Sequence, residues 1–131
     1  MYLVGITSIE IFSLFQENNL YGYNKKNRTE INQWLMAQMG YIGPMLGQHH
    51  QFHHYNPGKS KFGEERYFKI SKRIYQELDE VLSKSKFLSG NDYTIADIGT
   101  FPWIARHEWH DIGLKLSLIH ISEPTRPERI S

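Results

Sequence analysis

Tyr67, Ile70, Ile74, Leu78 and Val81 follow one another at steps of three or four. That spacing lays the five apolar side chains along one face of a helix. Glu65, Arg66, Lys69, Lys72, Arg73, Glu77, Asp79 and Glu80 take the other faces. A helix patterned this way is stabilised mainly by burying its stripe. The stretch from about Gly63 to Ser83 is therefore expected to be helical, and the rest of the chain must supply what it packs against.

Two further stretches carry helical signals. Asn27 and Glu30 have the spacing of a capping box. Ile31, Leu35, Met39, Ile42 and Leu46 follow at helical period, with Trp34 and Met45 widening the face. Gly43-Pro44 interrupts this stripe, because proline removes one helical hydrogen bond and crowds the turn before it. A kink is expected near Gly40–Pro44, with helix resuming toward His50. Met36, Met39 and Met45 read as core filler rather than a ligand box. In Asp92–Ile98 (DYTIADI), Thr94 is the expected N-cap and Asp97 the third helical residue. Tyr93 and Ile98 stand at the staple positions, and Ile95, Ile98, Phe101 and Ile104 or Ala105 extend the face. Pro102 predicts another kink. Nothing demands a sheet, so the reading is an all-α helical bundle of three principal helices. Bundles host unrelated functions, so this alone names none.

Bulk properties narrow the classes. The 131 residues make one domain or part of one. Hydrophobic residues at 40% and aromatics at 14% suffice for a packed core and argue against a disordered chain. Fifteen basic against fourteen acidic residues leave a formal charge of +1, with no general pull toward nucleic acid or anionic membrane. The absence of cysteine excludes disulfides, thiolate catalysis and cysteine-ligated metal within the chain. The opening MYLVGITSIEIFSLF is interrupted by Glu10 and lacks a basic start, unlike a signal peptide or a membrane span. These features predict a soluble, cytoplasmic protein.

Gly47–His54 reads GQHHQFHH. His49 and His53 are four apart, as are His50 and His54, and such pairs share a helical face. Two neutral imidazoles so placed can grip zinc, as in the HExxH pattern. That pattern also needs a glutamate beside the first histidine and a third ligand. No carboxylate falls in this window, and Tyr55–Gly58 (YNPG) ends any helix after it. The competing reading is a polar helix end, its histidines near the negative end of the dipole.

Three stretches together are more specific: Trp34–Gln48 (WLMAQMGYIGPMLGQ), Glu65–Tyr67 (ERY) and Asn91–Trp103 (NDYTIADIGTFPW). In this order and at these intervals they resemble the C-terminal helical domain of bacterial glutathione transferases. The likeness is nearest to the nu class, disulfide-bond oxidoreductases related to the yeast nitrogen-regulation prion protein. The first stretch is class-specific, while the third is general to the transferase fold. The resemblance covers roughly Leu20 to Leu114.

Such proteins pair a thioredoxin-like domain, which binds glutathione, with a helical domain that supplies the second-substrate wall. Nu-class members bind two glutathiones and reduce disulfides without a protein cysteine. The resemblance implies that Arg66, in ERY, reaches a glutathione carboxylate, a task suited to a bidentate guanidinium. It implies that Gln48 and His49 or His50 line the cleft between domains, with Tyr41 and Trp103 as apolar walls. Thr94 and Asp97 read as folding residues, and no catalytic residue is assigned. Glutathione enters as substrate, with a small electrophile or a disulfide as its partner, and no metal. A homodimer is implied for the full-length parent.

The chain departs from the family at both ends. Residues 1–19 do not match the family segment that precedes the first helix, although Ser8–Gln16 keeps a faint likeness to the helix that closes the thioredoxin-like domain. Leu116–Arg126 (LSLIHISEPTR) looks like the translation of a sequencing-library adapter, so residues 116–131 are read as foreign. This divides the chain into 1–26, a transferase-like helical domain at 27–115, and 116–131. The expectation is a truncated substrate-wall domain, inactive alone, with exposed apolar surface. Below it rank a non-catalytic interaction module and then a histidine-rich metal binder.

Overall fold

The computed structural model describes residues 19–113. The readings of Ser8–Gln16 and of residues 116–131 lie outside these. Helix α1 spans Lys25–Ala37, and a π-helical stretch, Gln38–Ile42, follows directly. Helix α2 is Gly43–His49, and a second π-helical stretch is His50–Tyr55. Helix α3 runs Lys61–Leu82, α4 runs Ile95–Ile104, and a 3₁₀ turn covers His107–His110. Among the described residues there is no strand, only an isolated bridge between Phe87 and Gly90. No helix among them is long and apolar enough to cross a membrane.

The first helix begins before the expected capping box. Asn24, in extended backbone, is the N-cap, and its side chain accepts from the Asn27 amide at 2.9 Å. Asn27 is thus the third helical residue rather than the cap. At the Gly-Pro interruption the helix changes winding. The Gly43 amide bonds five residues back, to the Gln38 carbonyl. The donor that Pro44 lacks falls where the ladder is already changing register, which lets the rod continue. A second wide turn ends it, with the Asn56 amide on the Gln51 carbonyl at 3.1 Å.

The α2 segment and α3 form an antiparallel hairpin. Phe52 lies against Gly63, where a Cβ would stand 2.7 Å from the ring. His49 meets Phe68 at 5.9 Å between ring centroids. Tyr41 lies close enough to Arg73 to act on its charge. Helix α4 packs on α1 and α2. Leu35 reaches Gly99, and the Trp103 indole lies over Gly43 and Gly47. A Cβ at Gly43 would stand 3.0 Å from that indole and 3.1 Å from the Gln38 carbonyl oxygen. The glycines of GPMLG therefore make room for Trp103.

Ile31, Ile42, Leu46, Ile74, Tyr75, Leu78, Leu88, Ile95, Ala96 and Ile104 form the core. The α3 stripe is buried a step aside from its expected line: Ser71 and Tyr75 are fully enclosed, Tyr67 and Ile70 only half-buried. Met36 and Met39 are not core filler, being 70% and 71% exposed. Periodicity marks a face without saying what covers it, and no described element packs over these two.

Candidate functional site

The residues expected to face substrate occupy different settings. Gln48, on α2, is exposed, and so is Arg66, on the second turn of α3. The Arg66 guanidinium lies 6.0 Å from the Tyr67 ring centroid. Tyr67 in turn stacks on Phe52, with centroids 5.4 Å apart and planes 10° from parallel. Arg66 is therefore tied to the Gly47–His54 segment through two rings. No carboxylate among the described residues forms an ion pair with it. Tyr41 and Trp103 are half-buried, Tyr41 at the Arg73 end of the hairpin and Trp103 over the α2 glycines. Tyr41, Gln48 and Trp103 thus belong to the α1–α2 rod and its α4 neighbour, and Arg66 to the far end of α3.

His49 is fully buried. Its Nε2 donates to the His110 carbonyl at 2.8 Å, since a carbonyl can only accept. The His49 ring also stacks on His53 at 4.9 Å. His110, equally buried, meets the Tyr75 hydroxyl through Nδ1 at 2.6 Å. It stacks on His50 at 4.4 Å, with planes 6° apart. His54 stacks on Trp109 at 4.4 Å, and the Arg106 guanidinium lies 5.0 Å from the Trp109 ring. The histidine-rich segment is thus docked, ring on ring, against the 3₁₀ turn after α4.

Burial sets the electrostatics of this cluster. It pushes His110 down to about 3, with His50 and His49 adding like-charge opposition. Burial also lowers His49 and His50, the carbonyl of His110 partly opposing this at His49. Burial raises Tyr75, which keeps its proton. Burial thus favours the neutral form of His49, His50 and His110. Its rings are stacked rather than convergent, and among the described residues no group of three or more His, Asp or Glu side chains is placed to hold a metal ion.

His110 and Tyr75 escaped the sequence reading. They are 35 positions apart, and Tyr75 sits off the apolar stripe that drew attention to α3. The pair His107 and His110 after the third helix was the available signal.

The sequence model described as "Glutathione S-transferase, C-terminal domain" matches residues 44–122. The chain belongs to the glutathione S-transferase C-terminal domain family. Disulfide-bond oxidoreductase YfcG of Escherichia coli (strain K12) is 40% identical over 82 residues, which cover 63% of this chain and 38% of that protein. A glutathione transferase family member from Pseudomonas fluorescens pf-5, solved with two glutathione bound, superposes with a TM-score of 0.65. It is 40% identical, covering 74% of this chain and 44% of that one. Glutathione transferase URE2P6 from Phanerochaete chrysosporium, in complex with oxidized glutathione, gives a TM-score of 0.58 at 35% identity. That match covers 63% of this chain and 38% of that one. The chain therefore spans less than half the length of these relatives. Within the transferase family domain, the Gly43/Gly47 seam, the Phe52–Gly63 contact and the Thr94–Asp97 cap all serve packing.

Proposed function

We propose that this chain is the substrate-wall domain of a nu-class-like, glutathione-dependent disulfide reductase or transferase. The observation that carries the reading is the 40% identity to a disulfide-bond oxidoreductase over 82 residues. The exposed guanidinium of Arg66, with no carboxylate partner among the described residues, supports it. A guanidinium so placed is free to take a carboxylate of glutathione bidentately. Gln48, exposed on α2, supplies a further polar contact, and Tyr41 and Trp103 supply apolar wall. His49 holds the segment in place from beneath, and His50 does the same. The second substrate is a small electrophile or a disulfide, and the whole protein works as a cytoplasmic homodimer. The described helices correspond to the substrate-wall half of the family's two-domain architecture, so the 131-residue chain alone is expected to be inactive.

The test is to join residues 20–113 behind the thioredoxin-like, glutathione-binding domain of a two-domain transferase. Glutathione-dependent reduction of a small dialkyl disulfide and conjugation of an aryl halide are then measured. The chimera is expected to turn over one of them, and Arg66→Ala to lower kcat/KM about tenfold, the worth of one charge-assisted contact. Arg66→Lys should recover only part, because lysine cannot form the fork. Equal turnover by all three would remove Arg66 from the site. Conjugation by the unjoined chain would overturn the claim that it is inactive alone.

A further inference from the structure

The His107–His110 turn meets the bundle through stacked and edge-on rings, most of them imidazoles. Its His110 carbonyl takes the His49 proton, its His110 ring meets Tyr75 and His50, and its Trp109 ring meets His54. Three buried ring nitrogens in this cluster have no hydrogen-bond partner among the described residues: His49 Nδ1, His50 Nε2 and His110 Nε2. For His110 this holds in either neutral tautomer. If Tyr75 donates to Nδ1, an Nε2 proton is left without an acceptor. If Nδ1 donates to Tyr75, an Nε2 lone pair is left without a donor.

A proton added to His110 meets no compensating charge. The groups that face it are Tyr75 from α3, His49 from α2, His50 and His53 from the second π stretch, and His107 from its own turn. None is a carboxylate. Arg106 adds its positive charge at His50. Asp111 follows His110 directly but lies against His53, at 3.9 Å, and its pull is felt at His49. A buried cation without a partner is expelled to water when the structure permits it. The turn is a four-residue 3₁₀ segment, and it ends in a left-handed residue, Asp111, with φ of 49°.

We propose that the His107–His110 turn is an acid-released latch, in which proton uptake by the buried imidazole cluster detaches the turn from α2 and α3. The start of α4 stays folded, because its polar groups are capped by Thr94 and Asp97. The latch does not depend on what the domain binds. Its release uncovers His49 and His50, the buried histidines of the Gly47–His54 segment.

Amide hydrogen exchange on the 131-residue chain between pH 7.5 and 4.5, corrected for intrinsic rates, tests this. Protection at residues 107–112 is expected to fall up to tenfold per pH unit below about 6.5, one proton per opening. Protection at Ala96–Thr100 should change far less. His110→Phe keeps a ring in the stack but removes the proton site, and should flatten the pH dependence of the turn. The C2–H resonances of the histidines give a second readout independent of that variant. His110 should titrate only together with loss of protection in the turn. Protection that falls equally in the turn and in α4, or that is absent from both at every pH, overturns the latch. So does an unchanged pH dependence in His110→Phe, or a His110 ring that titrates with the turn still protected.

Discussion

Two buried polar clusters flank helix α4, and they are built on opposite terms. At its start, every acceptor is met. Asp97 Oδ1 takes the Leu88 amide at 3.0 Å, and Oδ2 takes the Thr94 amide at 2.9 Å and its hydroxyl at 3.2 Å. Thr94 Oγ1 accepts the Ala96 amide at 3.3 Å and meets Ser89 Oγ at 3.0 Å. Beyond its end, the imidazole cluster leaves three buried nitrogens without partners among the described residues. A filled network locks one geometry, whereas a partly filled one makes the structure depend on the protonation state of its members. The first cluster is a fixture of the fold, and the second is its pH-responsive end.

The largest effect expected is from Asp97→Ala. It strands the Leu88 and Thr94 amides in the interior and should cost about 3 kcal/mol in urea unfolding. A cost under about 1 kcal/mol would mean the two clusters are not different in kind. Next comes the pH response. His110 is neutral when folded, whereas the unfolded chain binds its proton near 6.5, so acid favours unfolding or opening from that pH downward. His110→Phe removes this linkage. Relative to the parent, the variant should gain up to about 2–3 kcal/mol between pH 7 and pH 4.5. Parallel urea curves for the two chains at both pH values would contradict this. Thr94→Ala should cost about 1 kcal/mol at any pH in that range, the usual worth of a lost N-cap. The smallest effect tests the other side of the comparison. Ser71 Oγ is buried without a partner among the described residues, so Ser71→Ala should be neutral or stabilise by about 0.5 kcal/mol. A clear loss would reveal a partner for that hydroxyl.

Local chemistry made part of this legible in advance. The Thr94–Asp97 cap is written within four residues, and backbone geometry alone relates them, so it stands as expected. The α3 helix is set by an apolar period that no alternative element fits. The start of α1 was misplaced because Asn24 and Asn27 are both competent caps, and only backbone conformation at Asn24 chooses between them. Of the candidate site, Arg66 and Gln48 are exposed. The enclosure of His49 was not foreseeable, because the residue that encloses it lies 61 positions away.

Sequence by itself determined the helices, the satisfied cap and the family likeness carried by GPMLGQ, ERY and NDYTIADI. The helices and the cap rest on spacings of three to five residues, a scale on which covalent geometry relates side chains directly, whereas the likeness rests on those motifs matching a known family's pattern. Only the tertiary structure decided that the glycines of GPMLG seat Trp103, that Met36 and Met39 lie open, and that His49, Tyr75 and His110 share one interior. Such contacts depend on how helices cross, and residues far apart in the chain carry no local record of where they will meet.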